Sequence, residues 1–112
     1  MKFRTILIDD EPIAISRLKR LLKEYSDTFE IIDEAENGQE GLEKIEIHQP
    51  DLIFLDIEMP LLSGFEMLAK LEFMPMVIFV TAFDQFAIKA FEENSIDYLL
   101  KPIEKERLEK TV

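Results

Sequence analysis

Five polar side chains stand where short apolar runs end. Residues 5–8 lead into Asp9 and Asp10, residues 52–55 into Asp56, residues 76–80 into Thr81, and residues 96–100 into Lys101. If the runs are strands, all five groups lie at the carboxyl ends of those strands. In open α/β sheets that edge is where ligands bind, at the point where the winding reverses. Three carboxylates meet in one crevice if the first and third strands are neighbours. Such a cluster repels itself, and a divalent cation is the simplest offset. An all-oxygen, carboxylate-dominated set suits Mg²⁺, which keeps several waters and needs few protein ligands. A lysine opposite balances further charge and can contact a phosphoryl oxygen. The Thr81 hydroxyl can donate to another. With its negative field screened, Asp56 can attack phosphorus and form an acyl phosphate. Taken singly, each residue also has a plainer reading. Asp10-Glu11-Pro12 would serve as a helix cap, Asp56 and Thr81 as turn residues, and Lys101 as a loop lysine before proline.

The frame that must position these groups is a βα repeat. Apolar runs fall at 5–8, 29–32, 52–55, 76–80 and 96–100, and helical patterns lie between them. The first helix presents Ala14, Leu18, Leu21, Leu22 and Tyr25 on one face, with Pro12 suited to its first turn. A second helix starts near Gly38, with Leu42 and Ile45 inward. A third carries Phe65, Leu68 and Leu71. A fourth carries Phe86 or Ala87, then Ala90 and Phe91, and stops near Asn94. The fifth begins after Pro102 and reaches only Leu108 and Val112. The continuously apolar run Leu52-Ile53-Phe54-Leu55 fits a strand covered by helices on both faces. The expected fold is α/β, an open, doubly wound parallel sheet of five strands.

Composition sets the outer limits. With 112 residues the chain fits one domain, spanning 1–112, with room for a core. Cysteine is absent, which removes disulfides, thiolate metal sites and cysteine nucleophiles. Acidic residues number 24 against 13 basic, a net charge of -11. That balance argues against nucleic-acid contact by this chain and against docking on anionic membranes. No apolar run approaches the length of a membrane span, and the first residues do not read as a signal peptide. The expectation is a cytoplasmic protein.

With these residues in place, the chain resembles the receiver (CheY-like) domain of two-component response regulators. The matching pieces are Ile8-Asp9-Asp10-Glu11, then Asp56-Ile57-Glu58-Met59-Pro60 with Gly64, then Thr81-Ala82, and Tyr98 ahead of Lys101-Pro102. The resemblance implies a flavodoxin-like three-layer sandwich with strand order 2-1-3-4-5. It implies Asp56 as phosphoacceptor from a sensor histidine kinase. It gives Mg²⁺ to Asp9, Asp10, Asp56 and the backbone carbonyl of Glu58. Lys101 would contact the phosphoryl group, Thr81 would be the switch hydroxyl, and Tyr98 the aromatic partner that turns inward. Such a protein is a signalling switch and not an enzyme in the usual sense, although it assists its own phosphorylation and dephosphorylation. The fourth helix, fifth strand and fifth helix would form the output surface or a homodimer contact. The stretch Thr81-Ala82-Phe83-Asp84-Gln85-Phe86-Ala87 and the later Asp97-Tyr98-Leu99-Leu100-Lys101-Pro102 are similar to receivers joined to a LytTR-type DNA-binding domain. That subgroup implies transcription control through an effector domain absent from this chain, and the short fifth helix reads as truncated. Gly41 departs from the family's usual alanine. In a helix interior it costs roughly 1 kcal/mol, which implies a softer second helix.

Other readings account for less of the chain. A haloacid-dehalogenase-type phosphatase also uses an aspartyl nucleophile with Mg²⁺, but it needs a second aspartate where Glu58 stands and gives Asp9-Asp10 no role. A flavodoxin-like carrier needs a phosphate-cradling loop where Asp9-Asp10-Glu11-Pro12 repels phosphate. A stand-alone phosphorelay or interaction receiver without DNA-binding output keeps every chemical group and differs only in what it signals to. His48, the only histidine, reads as a surface helix end far from the crevice.

Overall fold

The computed structural model describes residues 2–82 and 97–101. Five strands appear: β1 (Phe3–Ile8), β2 (Phe29–Ala35), β3 (Leu52–Asp56), β4 (Met76–Thr81) and β5 (Asp97–Leu100). Between them lie α1 (Pro12–Leu22), α2 (Gly38–His48) and α3 (Gly64–Lys70). The strands form one sheet in the order β2-β1-β3-β4-β5, and every neighbouring pair is parallel. The order reverses between β1 and β3, which makes that junction the switch point expected from the sequence. A register shift between Thr5 and Ile6 loosens the β1–β2 pairing at one place. Among the described residues no helix is long and apolar enough to cross a membrane.

Helices cover both faces of the sheet. On one, Leu7, Phe54, Ile78, Val80 and Leu99 pack with Ile15, Leu18 and Leu22 of α1. On the other, Ile6, Ile8, Ile53, Leu55 and Phe79 pack with Ile45 of α2 and with Met67 and Leu68 of α3. The strands alternate between the two clusters because strand side chains have period two. The expected fourth helix, with Phe86 or Ala87, Ala90 and Phe91, and the expected fifth, with Leu108 and Val112, lie outside the described residues, as do Phe83 and Pro102.

Local signals explain the helix limits. Pro12 opens α1, and Lys19 and Arg20 stand in its last turn, where cations favour the helix dipole. The buried stripe of α1 is Ile15, Leu18 and Leu22; Leu18 and Leu22 lie on the expected face, whereas Ile15 takes the place of Ala14, which is only half-buried. Tyr25 falls in a separate 3-10 turn, Lys23–Tyr25. Asn37 caps α2 by accepting from the Glu40 amide at 2.8 Å. Ser63 and Glu66 form a reciprocal capping box that starts α3. In α3 the buried residues include Met67, which the apolar spacing did not single out. His48 ends α2, with Nε2 3.1 Å from Asp33 Oδ2 on β2.

Gly41 proves to be a packing residue. A Cβ built there would stand 3.0 Å from Met67 Sδ and 3.1 Å from Ile8 Cδ1. Glycine lets α2 lie close to β1 and α3, so the helix-propensity cost expected from the sequence accompanies tighter packing at the sheet. The end of α2 carries a different backbone feature. Gln49 holds φ 46° and ψ 62°, and its amide donates to the Ile45 carbonyl at 2.8 Å. That left-handed conformation is unfavourable for any residue with a Cβ and open to glycine. Gln49→Gly is therefore expected to stabilise the fold by about 0.5–1 kcal/mol. Urea unfolding should show a higher midpoint with an unchanged slope; a lower midpoint would contradict the argument.

Candidate functional site

Three rows of side chains on one face of the sheet end in charge. Leu7, Phe54 and Leu99 belong to the same core cluster. Two residues further along each strand direction come Asp9, Asp56 and Lys101. The period-two alternation that buries the first set carries the second onto the same face. β1 and β3 are neighbours with Ile8 opposite Leu55, so the conditional expectation of converging carboxylates is met. Oxygens of Asp9, Asp10 and Asp56 all lie within 4.8 Å of one another. Asp9 is 6% exposed and Asp56 4%, while Asp10 is the more open of the three.

Lys101 faces this cluster. Its Nζ is 2.9 Å from Asp9 Oδ2, 2.5 Å from Glu11 Oε1 and 3.7 Å from Asp56 Oδ2. Its amide donates to the Thr81 carbonyl at 2.7 Å, which ties the end of β5 to the end of β4. Thr81 itself is fully buried. Asp9 is held at both ends. Its amide donates to the Ala35 carbonyl at 3.0 Å, and its Oδ1 accepts from the Glu11 amide at 2.9 Å. Beyond Asp56, the Gly64 amide donates to the Ile57 carbonyl at 2.7 Å and closes the loop over residues 57–63. A Cβ on Gly64 would stand 2.5 Å from the Asp56 carbonyl oxygen, and one on Gly38 would stand 2.5 Å from Leu62. Both glycines therefore permit backbone approach that a side chain would block. Glu58 lies in this loop, two residues past Asp56, and is exposed. Tyr98 is on β5, opposite Phe79 of β4; its side chain is outside the described set, as is Phe83.

Burial is the main force on the acidic groups. It pushes the Asp56 carboxyl up to about 8, with the nearby Asp9 charge adding to the rise and Lys101 opposing it. Burial also raises Asp9, against the hydrogen bonds from Lys101 and the Glu11 amide. Desolvation would lower Lys101, but its bonds to Asp9 and Glu11 and the charge of Asp56 raise it instead. The ammonium therefore stays charged, and the Asp9–Asp56 pair resists full ionisation. Such a donor set is all oxygen and crowded, and among the described residues one lysine neutralises it only in part. Its chemistry fits Mg²⁺ in a site at the mouth of the sheet.

The helix-cap reading of Asp10-Glu11 does not hold. Glu11 occupies the N-cap position of α1, yet its side chain makes no cap hydrogen bond. Its carboxylate joins the site through Lys101. The sequence offers Glu11 a cap or a place in a motif but not this contact, because position alone does not say where a flexible carboxylate turns.

Comparison with known proteins places these features in a family. The profile of the response regulator receiver domain matches residues 5–112. The chain is 55% identical over 109 residues to an uncharacterized response regulatory protein of Vibrio cholerae, covering 96% of this chain and 46% of that protein. It is 50% identical over 111 residues to the transcriptional regulatory protein BtsR of Escherichia coli, covering 97% of this chain and 46% of that protein. The chain thus spans about half the length of these curated relatives. Among solved structures, the response regulatory domain of protein mrkE from Klebsiella pneumoniae superposes with a TM-score of 0.86 at 32% identity, covering 99% of this chain and 91% of that one.

The electrostatics imply a pH dependence with a definite sign. An unfolded Asp56 loses its proton near 3.8, whereas the folded one holds it to about 8. Between these values the folded state binds more protons than the unfolded state, so stability falls as pH rises across that window. Asp56→Asn removes the group that must ionise. In metal-free buffer the variant is expected to unfold at higher urea than the parent at pH 8, and the advantage should disappear at pH 4. A variant equally stable to the parent at both values would show that Asp56 ionises in the fold without cost.

Proposed function

The chain belongs to the response regulator receiver family, and from that premise we propose that it is a phosphorylation-dependent switch of a two-component system. The observation that carries this reading is the buried Asp56 carboxylate, within 4.8 Å of Asp9 and Asp10 and 3.7 Å from the Lys101 ammonium. An Asp56 oxygen would form a bond to phosphorus as the phosphorus–nitrogen bond of a kinase phosphohistidine breaks. The electron pair of that bond leaves with the imidazole. Lys101 would donate to the transferred phosphoryl group, and the Thr81 hydroxyl would move toward it. Tyr98 would then turn inward, passing the change to the surface formed by the fourth helix, β5 and the fifth helix. Asp9, Asp10 and Asp56, with the carbonyl of Glu58, would hold Mg²⁺, which would screen the carboxylates and offset charge on the phosphoryl oxygens.

The partner is accordingly a sensor histidine kinase, and the setting is the cytoplasm. The altered surface would serve a homodimer contact or an attached output domain. A LytTR-type DNA-binding domain is the output that the residues around Thr81 and Tyr98 favour, and the name of the Escherichia coli relative supports transcription control. With a net charge of -11, this chain would leave DNA contact to that domain.

Incubation with acetyl phosphate and Mg²⁺ tests the reading directly. The intact mass should rise by one phosphate, Asp56→Asn should take none, and chelation of the metal should prevent the gain. Lys101→Met should lower the rate by about tenfold or more, because a charged donor to the phosphoryl oxygens is lost. No mass gain with this donor or with a phosphorylated kinase would sink the proposal.

A further inference from the structure

Glu11 is the charged residue of the site to which the phosphorylation chemistry gives no task. Its backbone adopts the N-cap conformation, but its carboxylate does not cap α1. It stands instead against Lys101, at 2.5 Å, nearer than Asp9 at 2.9 Å or Asp56 at 3.7 Å. It is also the partner most open to water. Its side chain is 62% exposed, against 9% for Asp9 and 5% for Asp56. Resting on the phosphoacceptor reading above, we propose that Glu11 is a positioning residue that holds Lys101 in the unphosphorylated protein and competes with the incoming phosphoryl group for it.

An ammonium has three hydrogens to donate and no acceptor. Lys101 is drawn to Asp9 and Glu11, and Asp56 at 3.7 Å lies beyond hydrogen-bond reach. To donate to a phosphoryl group on Asp56 the ammonium must move toward it, so one of its two close contacts must loosen. Releasing Asp9 would leave a buried carboxylate without its cation, which is costly. Releasing Glu11 returns an exposed carboxylate to water, where it is well solvated. Glu11 is therefore the partner that lets go. Its grip sets how readily Lys101 reaches the phosphoryl group.

The test uses acetyl phosphate with Mg²⁺. An Asp56 oxygen bonds to phosphorus while the bond from phosphorus to the acetate oxygen breaks, and acetate leaves with the electron pair. Glu11→Gln should take up phosphate about twofold to fivefold faster, the range expected for losing a partly exposed ion pair. Glu11→Asp keeps the charge but shortens the reach, and it should speed uptake as well. Placed in a Lys101→Met background, Glu11→Gln should change nothing, because the effect runs through the lysine. A second readout needs neither metal nor phosphate. The nuclear magnetic resonance signal of the Lys101 ammonium should shift in both Glu11 variants relative to the parent. An unmoved lysine signal would overturn the proposal. So would Glu11→Asp matching the parent, or equal acceleration with and without Lys101, either of which would mark a simple field effect. If the parent takes no phosphate, the phosphoacceptor reading fails. If the parent is labelled and Glu11→Gln labels at the same rate, only the role of Glu11 fails.

Discussion

Carboxylates brought within a few ångströms of one another repel, and repulsion inside a protein wall is far less screened than in water. Asp9, Asp10 and Asp56 are in that position, with Lys101 as the cation against them. Left to themselves these groups would move apart into solvent. The sheet prevents it. β1 and β3 are hydrogen-bonded neighbours in its interior, and the residues preceding the aspartates, from Ile6 to Ile8 and from Leu52 to Leu55, are buried. Backbone bonds then fix the ends: Asp9 to Ala35 on one side, and Lys101 to Thr81 on the other. The core thus does more than stabilise the chain. It holds together charges that repel one another.

Much of this arrangement could be read along the chain, and for a physical reason. A strand buried on both faces must be apolar throughout, so the first polar residue after it marks its end and its edge of the sheet. Asp9, Asp56, Thr81 and Lys101 are legible in this way. Asn37 and Ser63 cap α2 and α3, a role that no expectation assigned them. Misses came where several placements satisfy the same pattern. Ile15 and Ala14 are one position apart on a helix, and apolar spacing does not choose between them. Gly41 looked like a weakness because propensity describes an isolated helix, whereas its contacts with Ile8 and Met67 belong to the assembled layers. The bend of the Glu11 side chain toward Lys101 joins residues 90 positions apart. No local pattern carries it.

The surroundings of Asp56 are not equally yielding. On the α2–α3 side, Gly64 admits the Asp56 carbonyl at close range, and Gly38 admits Leu62. The capping box at Ser63 then fixes the start of α3. Leu61 holds φ 72° within this loop, a left-handed backbone that a leucine keeps only when its neighbours enforce it. Displacement in this direction would have to move backbone against backbone. Toward β5, Lys101 extends the β4–β5 pairing by one hydrogen bond to the Thr81 carbonyl, and its side chain is held by ion pairs. If phosphorylation at Asp56 is the signal, rearrangement of the Lys101 side chain meets less resistance than rearrangement of the loop. That asymmetry favours a response that begins at Lys101, beyond the end of β5.

The same electrostatics bear on why a phosphoryl group would be accepted at all. In the bare site, burial and the Asp9 charge oppose a full negative charge on Asp56. An acyl phosphate turns that carboxylate into the carbonyl of a mixed anhydride and carries the charge outward onto the phosphoryl oxygens. There it faces the ammonium of Lys101, and it leaves the buried oxygens less crowded. Group transfer would therefore relocate charge from the place where the fold opposes it to the place where the fold supplies a cation. Crowded carboxylates, a costly feature for stability alone, would then become the means by which a phosphoryl group changes the contacts of Lys101.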